Sequence, residues 1–143
     1  MNFRAQVRWF YFSSIAITLT GFIYLWMKYR TKDPSLEFSV LNHPYQGIML
    51  KAHILAAPLF IAVAGSLIFT HFLEKIKGQK TLGRNTGKTL FIMIVLMIIS
   101  GVLIQVFTEE SYLIAVRWIH IVSSSSFVLA FILHRITVFP RKR

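Results

Sequence analysis

The stretch Thr89 to Thr108, TLFIMIVLMIISGVLIQVFT, runs for twenty residues without an Asp, Glu, Lys or Arg. A bilayer core of ~30 Å needs about 20 helical residues to cross it, so this window is long enough on its own. It shows no period-two alternation, and a backbone in lipid must satisfy its own hydrogen bonds, so the window reads as a helix rather than a barrel strand. Working outward, three more charge-free windows appear at Trp9 to Met27, Ala52 to Leu73 and Trp118 to His134. The apolar pattern of the last begins earlier, at Tyr112, which places Arg117 in the first turns of that helix near the interface. Together they predict helices over residues 9–28, 48–74, 87–108 and 112–137 of a single membrane domain covering 1–143. The expected fold is all-α, a transmembrane four-helix bundle. Trp9, Trp26, Tyr29, Tyr45, Tyr112 and Trp118 fall at span ends, where amphipathic rings favour the headgroup region.

The composition agrees with this reading: 55% of the 143 residues are hydrophobic and 15% charged, with sixteen Lys and Arg against five Asp and Glu. A net charge of +11 on a polar face would point to nucleic acid, but the chain between these cations is almost continuously apolar, so no nucleic-acid partner is expected. The charge is a topology signal instead. With four spans, one side carries Arg4, Arg8, Lys75, Lys77, Lys80, Arg84, Lys88, Arg135, Arg141, Lys142 and Arg143. The opposite side carries Lys28, Arg30, Lys32, Lys51 and Arg117, offset by Asp33, Glu37, Glu109 and Glu110. The positive-inside rule then makes both termini cytoplasmic, in a multi-pass protein of the cell's inner membrane. The first span is longer than the apolar core of a secretion signal and no small-residue cleavage pattern follows it, so it is expected to remain as a helix. The absence of cysteine excludes disulfides, thiolate zinc, iron–sulfur clusters on this chain and covalent haem attachment.

Histidine carries the chemistry. His53 and His71 fall on the second span, His120 and His134 on the fourth. Ionisable groups at membrane depth are costly and mark function by default. At about 100° per residue, the eighteen residues from His53 to His71 return the side chain to one face, and the fourteen from His120 to His134 return it within about 40°. The second and fourth spans run in the same direction, which pairs His53 with His120 toward the outer side and His71 with His134 toward the cytoplasmic side. Paired imidazoles without nearby Cys, Asp or Glu suit the axial positions of haem iron better than zinc or a carboxylate-bridged di-metal site. Two haems b, one in each leaflet, are therefore expected. Anionic propionates would find cations in Lys51 and Arg117 on the outer side and in Lys75 and Arg135 on the inner. Gly87 and Gly101 on the third span repeat the fourteen-residue interval, and with Gly21 and Gly65 they would let backbone recede from a flat macrocycle.

Histidine pairs on the second and fourth of four spans, with glycines fourteen apart on the third, resemble the haem-binding half of the cytochrome b of quinol–cytochrome c oxidoreductases. The interval from His120 to His134 also resembles the histidine pair in the cytochrome b subunits of formate dehydrogenases and hydrogenases. The resemblance covers the whole chain. It implies that His53 and His120 ligate one haem, that His71 and His134 ligate the other, and that electrons pass between quinone and a partner redox subunit. That partner would be a periplasmic cytochrome c or an iron–sulfur protein. The chain departs from the first family on its second span, where the interval is eighteen rather than near fourteen; tilt or a kink at Pro58 is expected to absorb the difference.

Other readings of the same residues are blander. A membrane histidine can simply bond one helix to another, and the run Ser123 to Ser126 reads first as close helix packing. A haem-free anchor subunit and a self-contained outer-surface oxidoreductase, reducing ferric iron or oxidising superoxide, are the alternatives. No side chain is marked as catalytic. His43 and Tyr45, in the turn around Pro44 that launches the second span, are candidates for the edge of a quinone site or a partner contact.

Overall fold

The computed structural model describes residues 2–30, 43–74 and 84–138. Among them are four long helices and no strand: α1 Phe3–Arg30, α2 Gln46–Leu67 continued by a π-helical turn Ile68–Phe72, α3 Arg84–Val106 and α4 Glu110–Val138. All four are long and apolar enough to cross a membrane, so this is a multi-pass membrane protein. The expected cations Lys32, Lys75, Lys77, Lys80, Arg141, Lys142 and Arg143 and the acids Asp33 and Glu37 lie outside the described residues.

Helix ends differ from the charge-free windows because a charge near the interface does not stop a transmembrane helix. Long Lys and Arg stems lie along the apolar surface and carry their charge to water. α1 starts at Phe3 and includes Arg4 and Arg8, because Asn2 caps it: the Ala5 N–H donates to Asn2 Oδ1 at 2.8 Å. α3 likewise takes in Arg84 and Lys88. α2 follows a tight turn in which the Gln46 N–H donates to the His43 carbonyl at 2.8 Å, and it runs on through Pro58. α4 begins with Glu110 in its first turn, where a carboxylate complements the helix dipole.

The chain divides into two compact units, Met1–Thr70 and His71–Arg143. The first is an antiparallel pair of α1 and α2. Gln6 lies by Thr70, Phe10 by Phe60 at 5.8 Å between ring centroids, and Thr20 by His53, so numbers rise on one helix as they fall on the other. Its seam combines Phe60, Val63 and Ala64 with the small side chains of Ser13 and Ser14 and with Ile17. The second unit pairs α3 and α4 in the same antiparallel sense, from Thr86 beside His134 to Phe107 beside Tyr112. Ile94, Met97, Ser100, Val116, Ser123, Phe127 and Ala130 form its seam. Within this second unit Phe72 stacks on Phe91 at 4.6 Å between ring centroids.

Small residues at both seams let helix backbones approach, as packing in lipid requires. The remaining faces are apolar and outward: Leu55, Phe69, Leu129 and Ile136 are all more than 60% exposed. Helices apolar all round with so narrow a buried seam are built for hydrocarbon as solvent. Ser123 and Ser124 spend their hydroxyls on the His120 carbonyl, the former at 3.2 Å, in keeping with the packing reading of the serine run.

Candidate functional site

Three of the four membrane histidines sit in the same kind of seat. In the first unit the His53 ring leans on Gly21 of α1, where an added Cβ would come within 2.9 Å of its Cε1. Its Nδ1 lies 3.0 Å from the Ile17 carbonyl and 3.2 Å from Thr20 Oγ1. A carbonyl can only accept, so Nδ1 carries the proton and donates. Thr20 in turn donates its own proton to the Ala16 carbonyl at 2.8 Å. In the neutral ring Nε2 therefore holds the lone pair.

In the second unit His120 leans on Gly101, with an added Cβ 3.2 Å from its Cε1, and its Nδ1 meets Ser100 Oγ at 3.0 Å. Ser100 has one hydroxyl proton, and its oxygen lies 2.6 Å from the Leu96 carbonyl. With the proton committed there, Ser100 accepts from Nδ1–H, and Nε2 again holds the lone pair. One interval of fourteen residues along both helices repeats the arrangement: His134 leans on Gly87 at 3.7 Å and its Nδ1 lies 2.8 Å from Thr86 Oγ1.

The glycines thus serve the imidazoles directly. They let a ring lie against the neighbouring backbone, which any Cβ at Gly21 would prevent. Gly65 has no such neighbour; a Cβ there would meet nothing within 4 Å. Thr20, Thr86, Ser100 and the Ile17 carbonyl are the ring partners, and glycine spacing alone does not reveal them. The signal was nonetheless present, since each ring-facing glycine is preceded by a hydroxyl residue in Thr20-Gly21, Thr86-Gly87 and Ser100-Gly101.

His71 stands apart. It lies half-buried inside the π-turn Ile68–Phe72. A π-turn closes from residue i to i+5 and carries an extra residue per turn, so its side chains fall behind the regular helical stripe. The face of His71 is set by this turn, and the eighteen-residue arithmetic for an unbroken helix does not apply to it. At the level where the turn meets α1, Thr70 donates to Gln6 Oε1 at 3.0 Å.

The flanking cations are placed variously. Lys51 and Arg135 are exposed. Arg117 pairs with Glu110 two turns earlier on the same face of α4, N to O 3.0 Å, with 33% of its side chain exposed. His43 does a different job from the membrane histidines: its Nδ1 accepts the Tyr45 N–H at 3.2 Å, and its ring rests between Trp26 and Tyr45. Among the described residues no three His, Asp or Glu side chains gather to chelate a metal ion; axial ligation of haem asks for two imidazoles per iron. The donor set is compatible in chemistry with haem, since an imidazole whose Nδ1 carries the proton keeps its lone pair on Nε2, the nitrogen that axial ligation would use.

Compared with known proteins, the chain matches no protein-family model, no curated protein and no solved structure. Its function is therefore read from its own residues.

Proposed function

We propose that the chain is a dihaem b-type cytochrome subunit that carries electrons across the cytoplasmic membrane between the quinone pool and a partner redox protein. In this reading both termini are cytoplasmic. His53 and His120 hold the outer haem, and His71 and His134 the inner. The observation that supports it most is the repeated seat, in which the same ring atom, Nδ1, meets a hydroxyl or carbonyl of the neighbouring helix at His53, His120 and His134. A histidine that serves only to join helices can use either nitrogen. One that ligates a metal through Nε2 needs Nδ1 held, because that second bond fixes the tautomer and the ring's direction.

Haem, when bound, supplies reversible one-electron transfer; the protein supplies orientation, burial and the tuning of potential. His120 and His134 are fourteen residues apart, roughly 21 Å along α4 at ~1.5 Å rise per residue, which spans much of the ~30 Å hydrocarbon core. Lys51, Arg117 and Arg135 remain the cations nearest in sequence to the ligands and are assigned to the propionates. The partner is a separate periplasmic cytochrome c or iron–sulfur subunit, because the connections between spans are too short to house another cofactor domain.

The test is reduction by quinol. Purified protein reconstituted in vesicles and supplied with a short-chain quinol is expected to show its oxidised haem absorbance converting to the reduced form without dithionite. Haem that dithionite reduces and no quinol reduces would remove the quinone link from this function.

A further inference from the structure

The seats do more than orient rings, because the acceptor of the Nδ1 proton also governs how strongly the ring donates through Nε2. At His120 the chain of bonds runs in one direction. His120 Nδ1–H donates to Ser100 Oγ at 3.0 Å, and Ser100 donates to the Leu96 carbonyl at 2.6 Å. A hydroxyl whose proton is already committed to a carbonyl is polarised and accepts more strongly. Ser100 is 2% exposed, so water does not dilute the effect. At His134 the hydroxyl of Thr86 stands 2.8 Å from Nδ1. A ring that ligates through Nε2 carries its proton on Nδ1, which makes Thr86 the acceptor in the same way.

We propose that Ser100 and Thr86 are positioning residues that set the reduction potentials of the two haems, Ser100 acting through His120 and Thr86 through His134. The proposal rests on the haem reading above. An Nδ1–H held by a strong acceptor gives the imidazole partial anionic character and makes Nε2 a stronger donor. Stronger donation stabilises ferric over ferrous iron, and so holds the potential down. Removing the acceptor raises it. Because the two hydroxyls serve rings fourteen residues apart on α4, each acts on a different haem.

The experiment is a redox titration of the haem-loaded protein followed by visible absorbance, with electron paramagnetic resonance of the ferric form as a second readout. Ser100→Ala is expected to raise one midpoint potential and move one low-spin ferric signal while the other haem keeps its values. Thr86→Val exchanges a hydroxyl for a methyl at constant volume and is expected to raise the other midpoint. Ser100→Thr is expected to restore the first, since Thr occupies the matching place at residues 20 and 86. Unmoved midpoints in both hydroxyl-free variants with both haems retained would overturn the proposal. If Ser100→Ala loses its haem, Thr86→Val decides, and an unmoved midpoint there overturns the proposal equally. A wild-type protein that binds no haem fails at the earlier step, which separates the two failures.

Discussion

Replacing His120 with alanine is expected to remove about one of two haems per chain. The ring is seated from two sides at once: Gly101 gives it room and Ser100 holds its Nδ1. Nothing nearby in α4 can replace it, because the residues one turn on, Ser123 and Ser124, are bonded to the His120 carbonyl. His134→Ala is expected to remove the other haem for the same reason, with Thr86 and Gly87 left facing a void. His43→Ala is the contrasting case. Its Nδ1 is engaged with the Tyr45 N–H in the turn before α2, so both haems are expected to stay. Haem content per chain, measured on purified variants, checks all three. Loss of haem in His43→Ala with retention in His120→Ala would reverse the ligand assignment.

The second large effect is expected at Gly21. An alanine there places its Cβ 2.9 Å from His53 Cε1, closer than packed atoms tolerate, and the neighbour that must yield is an aromatic ring already held by Ile17 and Thr20. The ring turns away and both Nδ1 contacts are lost. Overpacking of this kind costs about 1–3 kcal/mol, which exceeds the roughly 1 kcal/mol an alanine returns to a helix. Gly21→Ala is therefore expected to lower the thermal midpoint in detergent and to weaken the haem that His53 holds. The glycines form a graded series. Gly101→Ala, with its contact at 3.2 Å, should show the same effect in weaker form; Gly87→Ala at 3.7 Å should be tolerated. Gly65→Ala, which meets nothing within 4 Å, should be neutral or stabilising. Equal effects at Gly21 and Gly65 would show that the glycines act through helix propensity and not through the rings.

Much of the fold is legible in the sequence, for identifiable reasons. The four helices follow from runs without charge, because a charge in hydrocarbon is too costly to ignore. Their ends were less legible: Asn2 caps α1 ahead of Arg4 and Arg8, and an interfacial arginine leaves a helix uninterrupted. The spacing of His120 and His134 carries both rings to the side of α4 that faces α3, since α4 is one unbroken helix from Glu110 to Val138. It served less well on α2. The residues IFTHF carry no side-chain signature of a π-turn, and Pro58, the visible candidate for irregularity, lies within continuous helix. The hydroxyl partners are not legible from residue type alone, because a Ser or Thr in a membrane helix ordinarily bonds back to its own i−4 carbonyl. Thr20 and Ser100 do that and serve a histidine as well.

The most direct measurement is a visible spectrum of the purified chain, first oxidised and then reduced with dithionite, on protein expressed with adequate haem. Noncovalent b-type bands that sharpen on reduction, with about two haems per chain, are the predicted result. A protein that folds, remains in the membrane fraction and shows no haem absorbance in either state would contradict the assignment of His53, His71, His120 and His134 as axial ligands.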